Sequence, residues 1–175
     1  MVEMSVDSVR ISVETNQRVV ILKDTESERY LFIWIANPEA YSIAMELQGA
    51  TPQRPLTHDL LKSVITELGG QLTSVIITDL QDDIYYARLV FDVDGRHVEI
   101  DARPSDAIAI AVRLKAPIYV AENVLENASV TLQNGDERDD TVVREKQTAG
   151  REYNLEVYRD FINGLEALDE FGKQE

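Results

Sequence analysis

The stretch from residue 99 to residue 113 constrains the fold most, because its hydrophobic period changes in the middle. Up to Ala102 the residues alternate as in a strand, and from Ser105 they follow an alanine-rich helical pattern. Pro104 stands at the change, and its missing N–H costs nothing in a first helical turn. The sequence therefore predicts a strand that turns abruptly into a helix, with polar side chains gathered at the corner.

The composition is that of a soluble globular chain. It has 175 residues, of which 44% are hydrophobic and 28% are charged, and no apolar run has the length of a membrane span. The N-terminus lacks the basic and apolar regions of a signal peptide. The absence of cysteine excludes disulfides and thiolate metal sites. From these features we expect a cytoplasmic protein with no membrane partner.

The chain is strongly acidic, with a formal net charge of -15. The acidic excess is concentrated at the end, since residues 126–175 hold 13 acidic and 6 basic side chains. This balance disfavours non-specific binding to nucleic acid, which depends on neutralising phosphates. A nucleic-acid site in this chain would therefore need a local basic cleft or a bound metal.

The first 35 residues predict an antiparallel meander of three strands. Residues 2–14 alternate, but the phase shifts between Val6 and Val9, which indicates a bulge. Residues 19–22 form a short buried strand, and residues 30–35 form a strand that is apolar throughout and covered on both faces.

Two helices are predicted next. The first has Asn37 as its cap, runs to about Gln48 and ends at Gly49. The second begins with Thr57 as its cap and ends at the glycine pair 69–70. Its expected core stripe consists of Leu60, Leu61, Val64, Ile65 and Leu68.

Three strands at residues 72–80, 84–93 and 96–102 follow, the last two joined by an Asp94-Gly95 hairpin. After the corner helix come a short strand at 117–120 and a helical turn at 122–127. Glu46 and Arg113 are expected to be outward-facing helix charges. The fold class is therefore α+β, with a mixed, largely antiparallel sheet and about three packed helices, plus a C-terminal helix.

The composition changes near residue 128, which divides the chain into a domain at 1–128, a polar linker at 129–150 and an amphipathic helix at 151–175. The apolar positions of that helix fall mostly on one face. They are Leu155, Tyr158, Phe161, Ile162, Leu165 and Leu168. Such a helix either docks on the domain or packs against a partner chain, and a homo-oligomer is expected.

Three segments, at 34–40, 54–61 and 101–109, together resemble the bifunctional nuclease domain family over roughly residues 5–128. The second reads Arg-Pro-Leu-Thr-His-Asp and the third Asp-Ala-Arg-Pro-Ser-Asp-Ala, and the pair is specific. Plant members of that family are associated with nuclease activity on RNA and DNA. One departure is Ala36, where the family usually has glycine. The resemblance implies a hydrolase that cleaves phosphodiester bonds of RNA or single-stranded DNA.

Nuclease chemistry needs a phosphate clamp, a proton carrier and, in metal-dependent enzymes, carboxylates around a hard cation. We expect His58, Asp59, Asp101 and Asp106 to be catalytic, with His58 transferring protons because imidazole titrates near neutrality. The expected phosphate-binding residues are Arg54, Arg103 and Ser105. Mg²⁺ or Mn²⁺ is a possible cofactor, and its expected ligands are Asp101, Asp106 and Glu39.

A structural interpretation explains the same residues. Asp59, Ser105 and Asp106 stand at helix starts, where they can satisfy free N–H groups and the helix dipole. The arginines could pair with these acids as braces, since ion-pair networks resemble active sites. The alternative function is then a non-catalytic oligomeric binding or regulatory module. The two interpretations differ in whether segments 54–59 and 101–106 face each other across a gap or lock together.

Overall fold

The structure is a computed structural model that describes residues 1–12 and 16–131. It contains eight strands and four helices in these residues. In chain order they are β1 (Val2–Ile11), β2 (Arg18–Asp24), β3 (Arg29–Ile35), α1 (Asn37–Leu47), α2 (Thr57–Glu67), β4 (Gly70–Gln81), β5 (Ile84–Val93), β6 (Arg96–Ala102), α3 (Pro104–Leu114), β7 (Ile118–Val120), α4 (Glu122–Ala128) and β8 (Ser129–Thr131). The predicted α+β class is confirmed.

The strands form one mixed sheet in the order β6-β5-β4-β7-β1-β2-β3-β8. Neighbouring strands are antiparallel except β4 and β7, which are parallel. The short strand β7 thus joins the β1–β3 meander to the β4–β6 meander. Helix α3 makes the long connection from β6 back to β7, which places it over the middle of the sheet.

Two local predictions about the strands are confirmed. The register of β1 against β2 shifts between Val6 and Ser8, where the sequence changes phase. Asp94 and Gly95 both have positive φ values, 53° and 76°, as a two-residue type I′ hairpin requires. The hairpin fixes the pairing of β5 with β6, and therefore the place where β6 ends and α3 begins.

Helix α3 occupies the centre of the hydrophobic core. Its residues from Ala107 to Ala111 are at most 1% exposed, and they pack against α1, α2 and strands β3, β4 and β5. The sheet curls around this helix. In the sheet order four strands lie between β5 and β3, yet the Tyr85 hydroxyl of β5 is only 3.4 Å from the Phe32 carbonyl of β3. The small alanine side chains let the sheet and the other helices approach closely.

The helices begin one residue earlier than the predicted caps. Ala36 is the N-cap of α1 and Leu56 that of α2, and neither makes a side-chain cap hydrogen bond. Asn37 and Thr57 are instead the first helical residues. At α2 the cap is replaced by Asp59, whose Oδ2 accepts the Leu56 N–H at 2.8 Å.

The predicted core stripe of α2 is wrong. Leu60 and Leu68 are 60% and 77% exposed, Leu61 and Val64 are exposed as well, and of the stripe only Ile65 packs against the core. The buried face of α2 carries His58 and Ile65, seven residues apart, so polar contacts of its first turn select the face. The apolar face looks outward.

Strand β3 is covered on both faces at its centre but not at its end, since Trp34 is 39% exposed. Strand β8 pairs with β3, so the sheet continues to Thr131. The remainder of the predicted linker and the predicted C-terminal helix lie outside the described residues. Within the described ranges, no helix is long and apolar enough to cross a membrane.

Candidate functional site

Helices α1, α2 and α3 each carry an acidic side chain at their third residue: Glu39, Asp59 and Asp106. An acid is favoured there because the first turn of a helix presents free N–H groups and the positive end of the dipole. The three first turns are linked by hydrogen bonds and ion pairs between their side chains. We call this set the first-turn network; its members are Glu39, Ser42, His58, Asp59, Arg103, Asp106 and Arg113.

His58 lies in the middle of the network and is 7% exposed. Its Nδ1 is 2.9 Å from the Ser42 Oγ, and its Nε2 is 3.1 Å from the Asp106 Oδ1. An ionised carboxylate only accepts hydrogen bonds, so Nε2 carries a proton and donates to Asp106, while Nδ1 shares a hydrogen bond with the Ser42 hydroxyl. Both ring nitrogens are therefore occupied, Nδ1 by Ser42, which is 2% exposed, and Nε2 by the partly exposed Asp106.

Arg103 forms the outer side of the network, and its side chain is 65% exposed. Its Nε donates to the Asp106 Oδ2 at 2.7 Å, while Nη2 donates to the Asp106 Oδ1 at 3.0 Å and to the Glu39 Oε1 at 2.7 Å. These hydrogen bonds, followed by the ion pairs they form, raise the pKa of Arg103. The hydrogen bonds leave Nη1 of Arg103 without a bond to any described residue. The planar guanidinium is therefore held along one edge and open to solvent along the other.

The protonation state of Asp106 follows from its neighbours. Burial alone would raise the pKa of Asp106, but hydrogen bonds from Arg103 and His58 outweigh it and hold the pKa below its ordinary value. Asp106 is therefore a carboxylate at neutral pH. Its side chain is 30% exposed, which makes it the accessible carboxylate beside the open edge of Arg103.

Arg113 is buried, with an exposed fraction of 4%, so its prediction as an outward-facing charge is wrong. Its guanidinium donates to the Asp59 Oδ1 at 2.7 Å, to the Ala109 carbonyl at 2.9 Å and to the Ser42 carbonyl at 3.0 Å. The sequence held a signal, because Arg113 is seven residues after Asp106 and lies on the same face of α3.

Burial would raise the pKa of Asp59, but the hydrogen bonds from Arg113 and from the Leu56 N–H hold it below its ordinary value. Both Asp59 oxygens are used within the protein. Asp59 thus pairs within the network through both oxygens, although its side chain is 27% exposed. Ser42, which no motif indicated, could have been found as the residue one helical turn after Glu39.

Glu39 contains the one unpartnered buried side-chain atom of the described part of the chain. Its Oε1 accepts from Arg103, whereas its Oε2 is buried and has no hydrogen-bond partner among the described residues. A buried acceptor without a donor typically costs about 1–3 kcal/mol. The network therefore contains one unsatisfied acceptor next to the guanidinium that reaches solvent.

The structure brings together five of the eight predicted site residues and leaves three apart. The five are Glu39, His58, Asp59, Arg103 and Asp106. Arg54 is exposed in the loop before α2, and Asp101 is exposed in β6 opposite Arg88; neither bonds to a described residue. Ser105 is buried as the second residue of α3 and is not its cap.

The predicted metal ligands do not form a site in the described residues. Asp101 is not joined to the network, and Glu39 and Asp106 both bind the guanidinium of Arg103, which supplies the positive charge between them. Nowhere in residues 1–12 and 16–131 do three His, Asp or Glu side chains stand so that they could hold one ion. The prediction of Mg²⁺ or Mn²⁺ stays a prediction.

The two segments highlighted by the sequence lock together rather than face each other across an open cleft. His58 of the first bonds to Asp106 of the second, and Asp59 bonds to Arg113 at the other end of α3. The most exposed side chain of the network is that of Arg103, at 65%, followed by Asp106 at 30% and Asp59 at 27%.

Known proteins share the part of the chain that contains the first-turn network. The family model described as the bifunctional nuclease domain matches residues 20–133, which includes every member of the first-turn network. The chain belongs to the bifunctional nuclease domain family. The predicted resemblance is thereby confirmed, and the match covers β2 to β8 of the described fold.

Individual relatives differ in how much they share with this chain. An uncharacterized protein of Mycobacterium tuberculosis is 43% identical over 167 residues, covering 95% of this chain and 96% of that protein. Bifunctional nuclease 1 of rice (indica) is 29% identical over 130 residues, and bifunctional nuclease 2 of Arabidopsis thaliana is 31% identical over 119. Each plant alignment covers 66% of this chain, but only 39% and 34% of the respective plant protein. The similarity to proteins named nucleases thus concerns one part of longer chains.

Proposed function

We propose that this bifunctional nuclease domain protein hydrolyses phosphodiester bonds of RNA or single-stranded DNA at the open edge of Arg103. The observation that carries the proposal is the state of that side chain. Arg103 is held by Asp106 and Glu39 on one edge and offers Nη1 to solvent on the other. Guanidinium groups bind phosphate oxygens through such a planar fork.

In the proposed reaction Nη1 of Arg103 binds a non-bridging oxygen of the scissile phosphate and stabilises the charge that develops on it. Asp106 is the proton acceptor that orients the attacking water, because its carboxylate is ionised and partly exposed beside Arg103. As the water oxygen bonds to phosphorus, the P–O ester bond breaks, the water proton passes to Asp106, and the leaving oxygen takes up a proton from solvent. His58 acts through Asp106 by holding Oδ1, so it is a positioning residue.

This role differs from the direct proton transfer expected of His58 from the sequence. Both its nitrogens are engaged with Ser42 and Asp106, and the ring is buried. Arg54 is a second candidate phosphate contact because it is an exposed cation in the loop immediately before α2. No step is assigned to a metal, since the described side chains do not provide a ligand set.

The test is cleavage of RNA and single-stranded DNA by the purified full chain, with Mg²⁺, with Mn²⁺ and with a chelator. Arg103→Lys keeps the charge but loses the fork, and we expect a fall in kcat/KM of about 100-fold, as for loss of one transition-state donor. Asp106→Asn should cause a loss of at least about 100-fold, the lower end for an acid–base group.

Two variants serve as matched controls. Arg88→Ala removes an exposed arginine that is paired with Glu99 on the sheet, and Glu67→Gln changes an exposed acid at the end of α2, outside the network. Both should keep wild-type activity, and thermal unfolding should show that all four variants are folded. Full activity in a folded Arg103→Lys protein, or no cleavage by the wild type in any condition, would overturn the proposal.

One observation favours a second candidate, a non-catalytic binding or regulatory module. Except for Glu39 Oε2 and the outer edge of Arg103, the buried polar groups of the first-turn network bond to one another, as in a structural brace. This candidate predicts that the pure protein binds oligonucleotide or protein without cleaving RNA or DNA. A gel-shift assay beside the cleavage assay separates it from the nuclease.

A further inference from the structure

Helix α2 presents an apolar stripe to solvent. Leu60, Val64 and Leu68 are spaced four residues apart and are 60%, 43% and 77% exposed, with Leu61 beside them at 38%. These four residues, which we call the α2 stripe, span about 12 Å at a rise of 1.5 Å per residue. Single exposed apolar side chains are common, but a continuous apolar patch on one helix marks an interaction surface.

The stripe cannot turn inward without breaking the first-turn network. His58 and Asp59 fix the rotation of α2 through Asp106 and Arg113, and Ile65 packs on the core below them. The inner face of the helix therefore already has its partners. An additional element is needed to cover the outer face.

We propose that the C-terminal segment 153–171 of the same chain docks on the α2 stripe. Its sequence repeats apolar residues at helical spacing, with Leu155, Phe161, Ile162 and Leu165 on one face. The opposite face carries Glu156, Asp160 and Glu170. Such a helix cannot bury its apolar face by itself. Two amphipathic helices that pack along these faces would remove both apolar surfaces from water.

The length of chain after Thr131 allows this contact. Some 20 residues separate β8 from the segment, which at about 3.3 Å per residue reach as far as about 70 Å. A domain of this size has a radius of gyration near 14 Å, estimated from its length. The segment can therefore reach α2 from the end of β8, whatever path it follows.

The tether favours this occupant over a second copy of the chain. A segment joined by a short linker acts at an effective concentration of the order of millimolar, which a separate molecule seldom reaches. A second copy also brings a net charge of -15 against the same charge, and this repulsion opposes association. The alignment with the M. tuberculosis protein spans 95% of the chain and so includes most of the region after Thr131.

The experiment uses the full chain, whose lack of cysteine allows a single label. A spin label is attached to Asn163→Cys, and the methyl signals of leucine, isoleucine and valine are recorded by NMR. We expect the methyl signals of Leu60, Leu61, Val64 and Leu68 to lose most of their intensity. Ile84, which is 58% exposed at the β4–β5 turn and lies outside the α2 stripe, serves as the reference and should keep more of its signal than the stripe residues.

The matched control carries Phe161→Asp and Leu165→Asp together with the same label. It should restore the four signals without shifting those of the core, because only the docking face has changed.

A second sample mixes spin-labelled chains without isotope and isotope-labelled chains without a spin label. Loss of the α2 signals in that mixture places a second copy on the stripe and overturns the proposal. Unchanged α2 signals in the singly labelled chain also overturn it.

Discussion

At the scale of single residues, the buried guanidinium of Arg113 connects the three long helices. It belongs to α3, bonds to the Asp59 carboxylate of α2 and also bonds to the Ser42 carbonyl of α1. Removal of one partner from a buried ion pair leaves an uncompensated charge, which costs more than an exposed pair contributes. Arg113 therefore contributes mainly to stability, whereas the proposed chemistry is assigned to Arg103.

We expect Arg113→Ala to lower the free energy of unfolding by more than about 2 kcal/mol, since it removes a buried guanidinium and leaves the half-buried Asp59 carboxylate without its cation. Arg88→Ala is the matched control, because the Arg88–Glu99 pair is exposed and such pairs contribute about 0–1 kcal/mol. Urea unfolding followed by circular dichroism measures both. Equal losses in the two variants would contradict the assigned role of Arg113.

The lowered pKa of Asp59 makes stability depend on pH. The folded state binds this proton less tightly than the unfolded state, so the carboxylate stabilises the fold above its ordinary pKa of about 3.9. That contribution is lost as the pH falls from about 5 through the folded pKa. We expect Asp59→Asn to show a shallower loss of unfolding free energy on acidification than the wild type. Parallel pH profiles of the two proteins would contradict this.

At the scale of elements, the orientation of α2 was decided by polar contacts and not by its leucines. A helical wheel gives the stripe 60–64–68 and the face of His58 and Ile65 as separate sides of one helix. Apolar burial alone would favour turning the stripe toward the core. The ion pair and hydrogen bonds of the first turn, however, can form only when the face of His58 and Ile65 is turned inward. The tight hairpins differ from α2 in this respect, because backbone geometry alone determines their conformation.

The β5–β6 hairpin gives a prediction at this scale. Gly95 has a φ of +76°, and a Cβ there would contact nothing within 4 Å, so substitution affects only the backbone. We expect Gly95→Ala to lower the free energy of unfolding by about 1–2 kcal/mol, the cost of a left-handed L-residue. Gly95→Asn should cost less, since asparagine tolerates this region. Chemical denaturation measures both, and an equal cost would contradict the backbone explanation.

At the scale of the whole molecule, α3 determines the shape because the sheet curls around it. Its buried alanines and isoleucines contact both other long helices and strands on either side of β7. Its first turn carries Arg103 and Asp106 to the surface, and its last turn carries Arg113. The core and the candidate site are therefore consequences of the same helix.

Ile108 tests this arrangement, since it is 0% exposed in the middle of α3. We expect Ile108→Ala to lower the free energy of unfolding by about 2–5 kcal/mol through lost burial and the cavity it leaves. Ile100→Ala, at a 49% exposed position of the edge strand β6, is the matched control and should cost less than about 1 kcal/mol. Both are measured by equilibrium unfolding in urea. Similar losses would show that α3 is not the centre of the core.

The sequence by itself determined the features that depend on neighbouring residues. These include the strand–helix corner at Pro104, the bulge in β1, the Asp94-Gly95 hairpin and the order of strands and helices from β1 to α4, because period, turn chemistry and proline act locally. Its motifs also identified the family. The tertiary structure alone decided the curl of the sheet, the outward stripe of α2, the burial of Arg113 and the absence of Asp101 from the first-turn network. Each of these depends on which distant groups meet at bonding distance. For Arg113 the seven-residue spacing from Asp106 indicates a shared helix face, but not that this face is buried.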